Sequence, residues 1–414
     1  MSSDLQRRYH EFFVRRGHHL IENHSLIPDD PDDPVLFITA GMHPLIPYLQ
    51  GRPHPSGRRL VNTQRCVRTT DIDQVGDRSH LTFFEMLGNW SLGDYHKTET
   101  LGWSLEFLID ELGLPLDKLG VTVFSGRPDC PRDLESRRIW QQLGLPEQRI
   151  FDDGGNWWGP SGDTGPCGPD SEIFYWIGNG TPQGHPGQDP GWVEIWNCVF
   201  PGYDLDGGGV LHQLPSDNVD TGMGLERVVM ILEGRDDIYQ TGLFRPLMDE
   251  FQDLSQLDLR SRRVVCDHLR SSAMMLTDGV IPSNQGRGYV LRRIFRRMFS
   301  QLRRSEDSSL LPKLLETLTE TYQDHQLSHQ LLEDGYRSEQ VRFERMLQGG
   351  MRRLRKQLRE ATLITGEQLS DLQQSHGLPV EFSVEEIRHQ GYDLDPEWSE
   401  QYRRHQQQHR DRSR

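Results

Sequence analysis

The sequence predicts an α+β protein in which a largely antiparallel β-sheet, flanked by helices, is followed by an all-helical module. Up to about residue 225, β-branched and aromatic runs are broken by Gly, Pro, Asp and Asn, and most turns between them are too short for a crossover helix. From about residue 225 onward, glycines become rarer and apolar residues recur at helical spacing. The 414 residues are therefore divided into segments 1–245, 246–385 and 386–414, the last of them a polar tail.

The individual elements follow from these patterns. Strands are predicted at 35–42, 58–68, 80–87, 120–126, 171–180 and 192–200. Helices are predicted at 5–16, 98–112, 225–250, 264–277, 289–302, 310–321 and 341–358. The strongly polar end of the chain is predicted to form a frayed helix or a disordered tail.

The distribution of charge is uneven. A net charge of −16 would ordinarily argue against a polyanionic partner, because nucleic-acid-binding proteins usually carry a basic surface. Residues 287–304, however, contain seven arginines and no acidic residue. Four of these arginines recur on one side of a predicted helix, namely Arg292, Arg293, Arg296 and Arg297. This face predicts contact with a phosphate backbone, and a solvated helix surface is the alternative.

Other composition signals bear on location and on metal binding. There is no run of about 18 apolar residues, and the first residues show neither an apolar signal core nor a small-residue cleavage pattern. The five cysteines are scattered, without a C-x-x-C pair. We therefore expect a cytoplasmic protein with no membrane span, no disulfide framework and no structural zinc.

The first segment that carries chemistry is 63–95. Two strand-like runs enclose a polar loop, which predicts a hairpin with Arg68, Phe84 and Glu85 close together. A guanidinium pairs with a phosphate, and an aromatic ring offers a face to a purine. These residues therefore predict a nucleotide site, and a buried Arg–Glu pair beside a core phenylalanine is the alternative.

Two further segments predict a ligand pocket. In 156–176, glycines and prolines alternate with polar residues around Trp158, and either a pocket loop or a surface turn would have this composition. In 219–234, Gly222 and Gly224 precede an amphipathic helix that carries Arg227 in its first turn. Asp220 could pair with a primary ammonium there, or it could serve only as a helix cap.

In this order, these segments resemble the class II aminoacyl-tRNA synthetases and, among them, the alanyl-tRNA synthetase family. The resemblance covers roughly residues 5–305 and continues weakly into HGLPVEF (376–382). It rests on GHHLIENHSLIP (17–28), LFITAGM (36–42), CVR (66–68), HLTFFEMLGNWSLGDY (80–95), DTGPCGPDSEIFY (163–175), EIWNCVF (194–200), DTGMGLER (220–227) and DHLRSSAMMLTDGVIPSNQGRGYVLRRIFRR (267–297).

The resemblance implies a class II synthetase catalytic domain at 1–245 and a helical tRNA-recognition domain at 246–385. It also implies a ligase that activates alanine with ATP and Mg²⁺ and transfers it to the 3′ end of tRNA-Ala. Arg68 and Arg227 would be catalytic and would hold the α- and γ-phosphates of ATP. The other implied ATP-binding residues are His80, Phe84, which would stack on adenine, Glu85 and Gly224. The implied alanine-binding residues are Trp158, Asn197, Val199, Asp220 and Gly222, and those implied for the tRNA acceptor stem are Asn284, Arg292, Arg293, Arg296 and Arg297.

The sequence also departs from this family. The loop after CVR is short and lacks the usual lysine, so Arg78 or His80 would have to supply its charge. Gln374 stands where the family places an aspartate that helps to read the G·U wobble pair of the acceptor stem. The sequence stops before the family's editing and C-terminal domains, which predicts a short form with a separate editing protein acting in trans. The alternatives are a paralogue that adenylates a small amino acid for a non-tRNA acceptor, and a non-catalytic binding module.

Overall fold

The computed structural model describes residues 1–30, 33–252, 256–360 and 363–412, and it confirms the predicted α+β class. The strands in chain order are β1 His19–Leu20, β2 Arg59–Val67, β3 Phe83–Leu92, β4 Leu119–Phe124, β5 Ile150–Asp153, β6 Trp157–Trp158, β7 Gly165–Trp176, β8 Trp192–Val199, β9 Tyr203–Leu205, β10 Leu211–Gln213, β11 Asn218–Gly224, β12 Leu363–Ile364 and β13 Asp393–Leu394.

Helices flank the sheet and dominate the second half of the chain. They are α1 Ser2–Val14, α2 Ile46–Leu49, α3 Lys97–Glu106, α4 Leu134–Gln142, α5 Leu225–Leu232, α6 Arg245–Asp249, α7 Leu259–Thr277, α8 Gly286–Arg303, α9 Leu310–Thr321, α10 His329–Glu360, α11 Gly366–His376, α12 Val380–His389 and α13 Trp398–Arg412. None of the described helices is long and apolar enough to cross a membrane.

Eleven strands of the described chain form one sheet, whose main path runs β1-β2-β3-β11-β8-β7-β4-β5. Neighbours on this path are antiparallel except for β1 with β2 and β4 with β5, which confirms the largely antiparallel prediction. β6, β9 and β10 extend the sheet beside β7. Because β3, β11, β8 and β7 are adjacent, residues from four distant parts of the sequence lie side by side.

The strand predicted at 35–42 is wrong. This segment is a loop that packs its apolar residues onto the sheet, with Ile38 and Met42 buried in the same cluster as Trp90. Gly41 allows the close approach, since a Cβ there would lie 2.8 Å from the Trp90 ring. The hydrophobic run therefore reflects burial of a loop and not a place in a strand ladder.

Two helix predictions also need correction. The helix predicted at 225–250 is interrupted, because α5 ends at Leu232 and Gly234 adopts a φ of +64° before α6 begins at Arg245. The helix predicted at 341–358 is the later part of α10, which begins at His329. The polar tail contains α13, a helix that packs on α11 and donates a hydrogen bond from Tyr402 to Gln373 at 2.5 Å.

The sheet has a helical back face and an open front face. On the back, α1 buries Tyr9, Phe12 and Phe13, and the rings of Tyr9 and Phe13 lie close to that of Trp196 on β8. α5 packs against α1 on the same side. The front face is partly covered by the 35–49 segment, and the rest of it forms the floor of a cleft.

A fully buried arginine joins the helical half of the chain to the sheet. Arg270 of α7 is 1% exposed and donates to Glu226 of α5 at 2.6 Å, with Glu85 of β3 at 3.6 Å. Its guanidinium carbon lies over the rings of Phe83, Phe244 and Tyr322, at 4.7, 5.2 and 4.9 Å from their centres. One cation and two carboxylates are thus removed from water together, and their attraction for one another compensates for the lost hydration.

We therefore expect Arg270→Met to lower the free energy of unfolding by about 3–5 kcal/mol, because it leaves Glu226 and Glu85 buried without their cation. Arg245→Met is the matched control, since the Arg245–Asp249 pair is more than half exposed and should contribute at most about 1 kcal/mol. Urea unfolding followed by circular dichroism measures both. Equal midpoints for the two variants would contradict the assigned role of Arg270.

Candidate active site

The cleft on the front face contains about 540 Å³ of open space and lies where β2, β3 and β11 meet the start of α5. Six of the residues predicted for ligand binding line it, namely Arg68, His80, Phe84, Gly222, Gly224 and Arg227. These residues come from three separate segments of the sequence. The sheet brings them together because β3 pairs with β2 on one side and with β11 on the other.

One wall of the cleft is formed by Arg68 and Phe84. The β2–β3 register places Cys66 opposite Phe84, so Arg68 follows β2 at the level of the ring. The guanidinium carbon of Arg68 lies 4.9 Å from the ring centre, and Nε donates to the Thr39 carbonyl at 3.3 Å. A cation beside an aromatic face suits a nucleotide, because the ring can stack on a base while the guanidinium contacts a phosphate.

The opposite wall is formed by Arg227 at the start of α5. Its Nη1 donates to a carboxylate oxygen of Glu194 at 2.9 Å and to the Glu194 carbonyl at 3.0 Å. Gly222 makes room for Met86 between the two walls, since a Cβ there would lie 2.6 Å from the sulfur of Met86. The cleft therefore carries an arginine on each wall, with Gly222 and Met86 between them.

His80, and not Arg78, is the basic side chain that the short loop brings to the cleft. Its Nδ1 lies 2.5 Å from a carboxylate oxygen of Asp77, and this hydrogen bond raises the pKa of the imidazole. Arg78 instead donates to the carbonyl of Pro190. Of the two candidates for the missing lysine, the structure thus favours His80.

Asp220 lies deeper than the cleft residues, in a row that crosses the sheet. The register places Trp90, Asp220, Val199 and Asp170 opposite one another on β3, β11, β8 and β7. Asp220 is 5% exposed, and burial raises its pKa to about 7 although Trp90 Nε1 donates to it at 2.7 Å. A buried carboxylate that has no cationic partner among the described residues is suited to take up a cation from a ligand.

The remaining predicted pocket residues surround this row. Asn197 lies opposite Gly222 in the ladder, and its Oδ1 is buried without a hydrogen-bond donor among the described residues. Trp158 of β6 is half-buried and packs against the apolar cluster that contains Trp90 and Met86.

Sequence reasoning gave no role in this pocket to two acids, the buried Asp170 and the half-buried Glu172. Burial raises the pKa of Asp170 to about 7 and that of Glu172 to about 8. Asn156 donates to Asp170 at 2.6 Å. The signal was present as an i, i+2 pair within 165–176, but a segment rich in glycine and proline was interpreted as a loop up to residue 170. In the structure it is β7, whose alternation places both acids on the front face.

Glu85 must be removed from the predicted ATP-binding set. Alternation along β3 places its carboxylate on the back face, away from Phe84 and Met86. There it accepts from Gln6 at 3.1 Å and lies 3.3 Å from His325 Nε2. Although burial opposes ionisation, His325 and Arg270 hold the pKa of Glu85 below its usual value. Its role is thus to anchor β3 from behind.

The predicted arginine face lines a second feature, a groove that we call the basic groove. It has about 1460 Å³ of open space and runs between α7, α8 and the 373–379 segment. Arg293, Arg296 and Arg297 line it. Arg292 also borders it but is only 12% exposed, because it donates to Glu339 at 3.1 Å and to Asn284 at 2.5 Å.

The position predicted to read the acceptor stem is occupied by a side chain that bonds within its own helix. Gln374 Nε2 donates to Ser370 at 3.0 Å on α11. Its neighbour Gln373 lines the basic groove. Asn284 is exposed, and Arg292 holds its side-chain oxygen.

Comparisons with known proteins agree with this geometry. A family model described as tRNA synthetases class II (A) matches residues 4–414. A protein named Alanine--tRNA ligase from Treponema denticola is 50% identical over 314 residues, which cover 71% of this chain and 52% of that protein. A protein of the same name from Treponema pallidum is 42% identical over 429 residues, which cover 95% of this chain and 69% of that protein. The chain thus spans between about half and about two thirds of the length of these relatives. It belongs to the class II tRNA synthetases, in the alanyl-tRNA synthetase family.

Proposed function

We propose that this protein is an alanine--tRNA ligase, which activates alanine with ATP and transfers it to the 3′ end of tRNA-Ala. The observation that carries the proposal is the buried carboxylate of Asp220, which lies beside Val199 with no cation from the described residues, next to a cleft with an arginine on each wall. A carboxylate there suits an α-ammonium group, and the arginines suit a triphosphate. The two relatives named Alanine--tRNA ligase support the same activity.

In this proposal ATP lies across the cleft, with adenine on Phe84, the α-phosphate at Arg68 and the γ-phosphate at Arg227. His80, whose pKa the hydrogen bond with Asp77 raises, is a further basic side chain of the cleft. Mg²⁺ bound with ATP would neutralise phosphate charge, and Glu194, which lines the cleft and is one-third exposed, could offer it a carboxylate oxygen. Arg227 would then exchange its contact with Glu194 for the phosphate.

Alanine binds with its ammonium group on Asp220 and its methyl group beside Val199. Its carboxylate oxygen attacks the α-phosphorus in line, the bond to pyrophosphate breaks, and alanyl-adenylate forms without a covalent enzyme intermediate. Arg68 stabilises the charge that builds up at the α-phosphate. A ribose hydroxyl at the tRNA 3′ end then attacks the adenylate carbonyl and releases AMP.

The acceptor stem of tRNA-Ala is proposed to lie in the basic groove. Arg293, Arg296 and Arg297 would contact phosphates, which position the RNA without reading its sequence. Because Gln374 bonds within α11, we assign base reading to Asn284, which Arg292 holds at the groove edge. With ATP and tRNA as its substrates, the enzyme would act in the cytoplasm.

The proposed pocket excludes large side chains but not glycine or serine. The loss of one methyl group costs only about 1–3 kcal/mol of discrimination. We therefore propose that an editing activity accompanies this enzyme.

A second candidate is a paralogue that delivers the activated amino acid to a different acceptor. The internal bonding of Gln374 favours it, because this residue occupies the stem-reading position of the family. It shares the adenylation cleft with the first candidate, and charging of tRNA distinguishes the two.

The activation step is tested by pyrophosphate exchange. We expect exchange with alanine, weaker exchange with glycine and serine, and almost none with leucine. Arg68→Ala and Arg227→Ala should each lower exchange about a hundredfold or more, because each removes a charge from a reacting or leaving phosphate. Arg132→Ala is the matched control, since its surface pair with Asp152 lies away from the cleft. Equal exchange with leucine would rule out the alanine assignment.

The pKa of Asp220 predicts how activation depends on pH. Below about pH 7 Asp220 becomes protonated and loses its attraction for the ammonium group, so kcat/KM for alanine should fall about tenfold per pH unit. Trp90→Phe removes the donor that favours the ionised carboxylate, so the fall should begin at a higher pH. Exchange rates between about pH 5.5 and 9 test this. Asp170 and Glu172 titrate in both proteins, so the difference between the two profiles reports Asp220. Superimposable profiles would contradict the assignment.

Transfer to tRNA is tested in the basic groove. Arg293→Ala and Arg296→Ala should each weaken charging of tRNA-Ala while exchange continues, and each should lower the slope of log affinity against log salt by about one. Arg352→Ala, on the exposed side of α10, is the control with the same change in charge. Full exchange without charging of any tRNA would favour the second candidate.

A further inference from the structure

Side chains of helix α7 accept backbone hydrogen bonds at the start of β3, where no neighbouring strand of the described chain does so. The β11 ladder with β3 ends where Gly224 pairs with Met86, because the chain then turns into α5. The backbone N–H groups at the start of β3 donate to α7 side chains instead, Thr82 to Asp267 Oδ1 at 2.8 Å and Phe83 to Ser271 Oγ at 3.1 Å. An open strand edge is thereby closed by side chains from the helical half of the protein.

These two hydrogen bonds are donated by Thr82 and Phe83, the residues that immediately precede Phe84, whose ring forms a wall of the cleft. Asp267 is 1% exposed and Ser271 is 0% exposed, so water cannot replace either of them as acceptor. A buried bond to a charged acceptor stabilises by about 1.5–3 kcal/mol, and a neutral one by about 0.5–1.5 kcal/mol. These two side chains of α7 therefore hold in place the backbone that leads into Phe84.

The hydrogen bonds continue from Asp267 to the basic groove. His268 Nδ1 lies 2.8 Å from the other oxygen of Asp267, and Arg297 Nε lies 3.0 Å from His268 Nε2. Because an arginine can only donate, Nε2 must accept, and the proton of the imidazole must be on Nδ1. His268 is wholly buried, and its burial lowers the pKa of the ring, which agrees with a neutral imidazole.

Arg297 connects this chain of bonds to solvent. It lines the basic groove and also donates to Asp73 at 3.1 Å, as Arg293 does at 2.6 Å. Asp73 belongs to the loop between β2 and β3 and is 65% exposed on its side chain. An RNA phosphate that approaches Arg297 would compete with this carboxylate.

We propose that Ser271, Asp267 and His268 are positioning residues for the nucleotide cleft, and that Asp267 and His268 relay occupation of the basic groove by an RNA backbone to Phe84. The relay rests on the proposed function, whereas the positioning role requires only that the cleft binds ATP. Because coupling between two sites is reciprocal, RNA in the groove should alter ATP affinity by the same factor by which ATP alters RNA affinity.

The positioning role is tested with two adjacent buried serines of α7. Ser271→Ala removes the bond to Phe83, whereas Ser272→Ala removes a bond of 2.6 Å to Tyr336 of α10 on another side of the helix. In pyrophosphate exchange, Ser271→Ala should raise the KM for ATP about threefold or more, with little change in the KM for alanine. Ser272→Ala should leave the KM for ATP unaltered. A general loss of packing would affect both variants alike, so equal ATP values for them would overturn the positioning role.

The relay is tested with two substitutions of His268, each of which removes a different one of its two hydrogen bonds. His268→Asn retains a donor near the Nδ1 position for Asp267 but does not reach Arg297, whereas His268→Gln retains an acceptor near the Nε2 position but loses the donor to Asp267. In the absence of RNA, His268→Gln should therefore raise the KM for ATP more than His268→Asn does. The KM for ATP is then measured with and without tRNA-Ala whose 3′ end has been oxidised so that it cannot be charged.

In the wild-type protein the RNA should alter the KM for ATP about fivefold or more, and in both His268 variants this ratio should approach one. A wild-type ratio in His268→Asn, or a ratio of one in the wild type with RNA bound, would overturn the relay. If filter binding showed no RNA bound at all, the tRNA part of the proposed function would fail together with the relay. The two serine variants would still decide the positioning role, so the two failures are distinguishable.

Discussion

The buried ion cluster of Arg270, Glu226 and Glu85 is the interaction on which the rest of the structure depends. It joins α7, α5 and β3, three elements that are far apart in the sequence and that meet beside the cleft. Glu226 also accepts from the backbone N–H of Glu85 through both carboxylate oxygens at 3.2 Å, so it extends the ladder past the end of β11. Desolvation of three charges is costly, and their mutual contacts, together with hydrogen bonds such as that from Gln6 to Glu85, offset that cost. The helical half therefore cannot separate from the sheet without exposing the start of β3.

On the front face, the cost of burying charged groups has a different consequence. There Asp220 and Asp170 are buried and Glu172 is half-buried, no described residue places a cation beside them, and burial raises the pKa of each to between about 7 and 8. Arg270, Glu226 and Glu85 on the back face form ion pairs with one another, whereas these three front-face acids have hydrogen bonds but no ion pair among the described residues. This contrast distinguishes the structural face of the sheet from the functional one, and it explains why Glu85 and Phe84, adjacent in sequence, have unrelated roles.

Several arginines of the basic groove already form hydrogen bonds within the protein, so they are not equally available to a partner. Arg292 is held by Glu339 and Asn284, while Arg293 and Arg297 share Asp73. The net charge of −16 is thus compatible with a polyanionic partner, because arginines outnumber the two acids, Asp73 and Asp258, that line this groove. Helix α8 supplies arginines to the groove, and one of them, Arg297, also donates a hydrogen bond to the buried His268.

The sequence by itself determined the family, the α+β class and most of the cleft, because short motifs with fixed chemistry occur in the right order. Arg68, Phe84, Gly224 and Arg227 were predicted together, and the sheet brings them together. Only the tertiary structure decided which face each side chain occupies, since one residue of register reverses it. That is why Glu85 was placed wrongly and why no role was assigned to Asp170 and Glu172. The bonds from α7 to β3 join residues more than 180 positions apart, and no local pattern marks such a pairing.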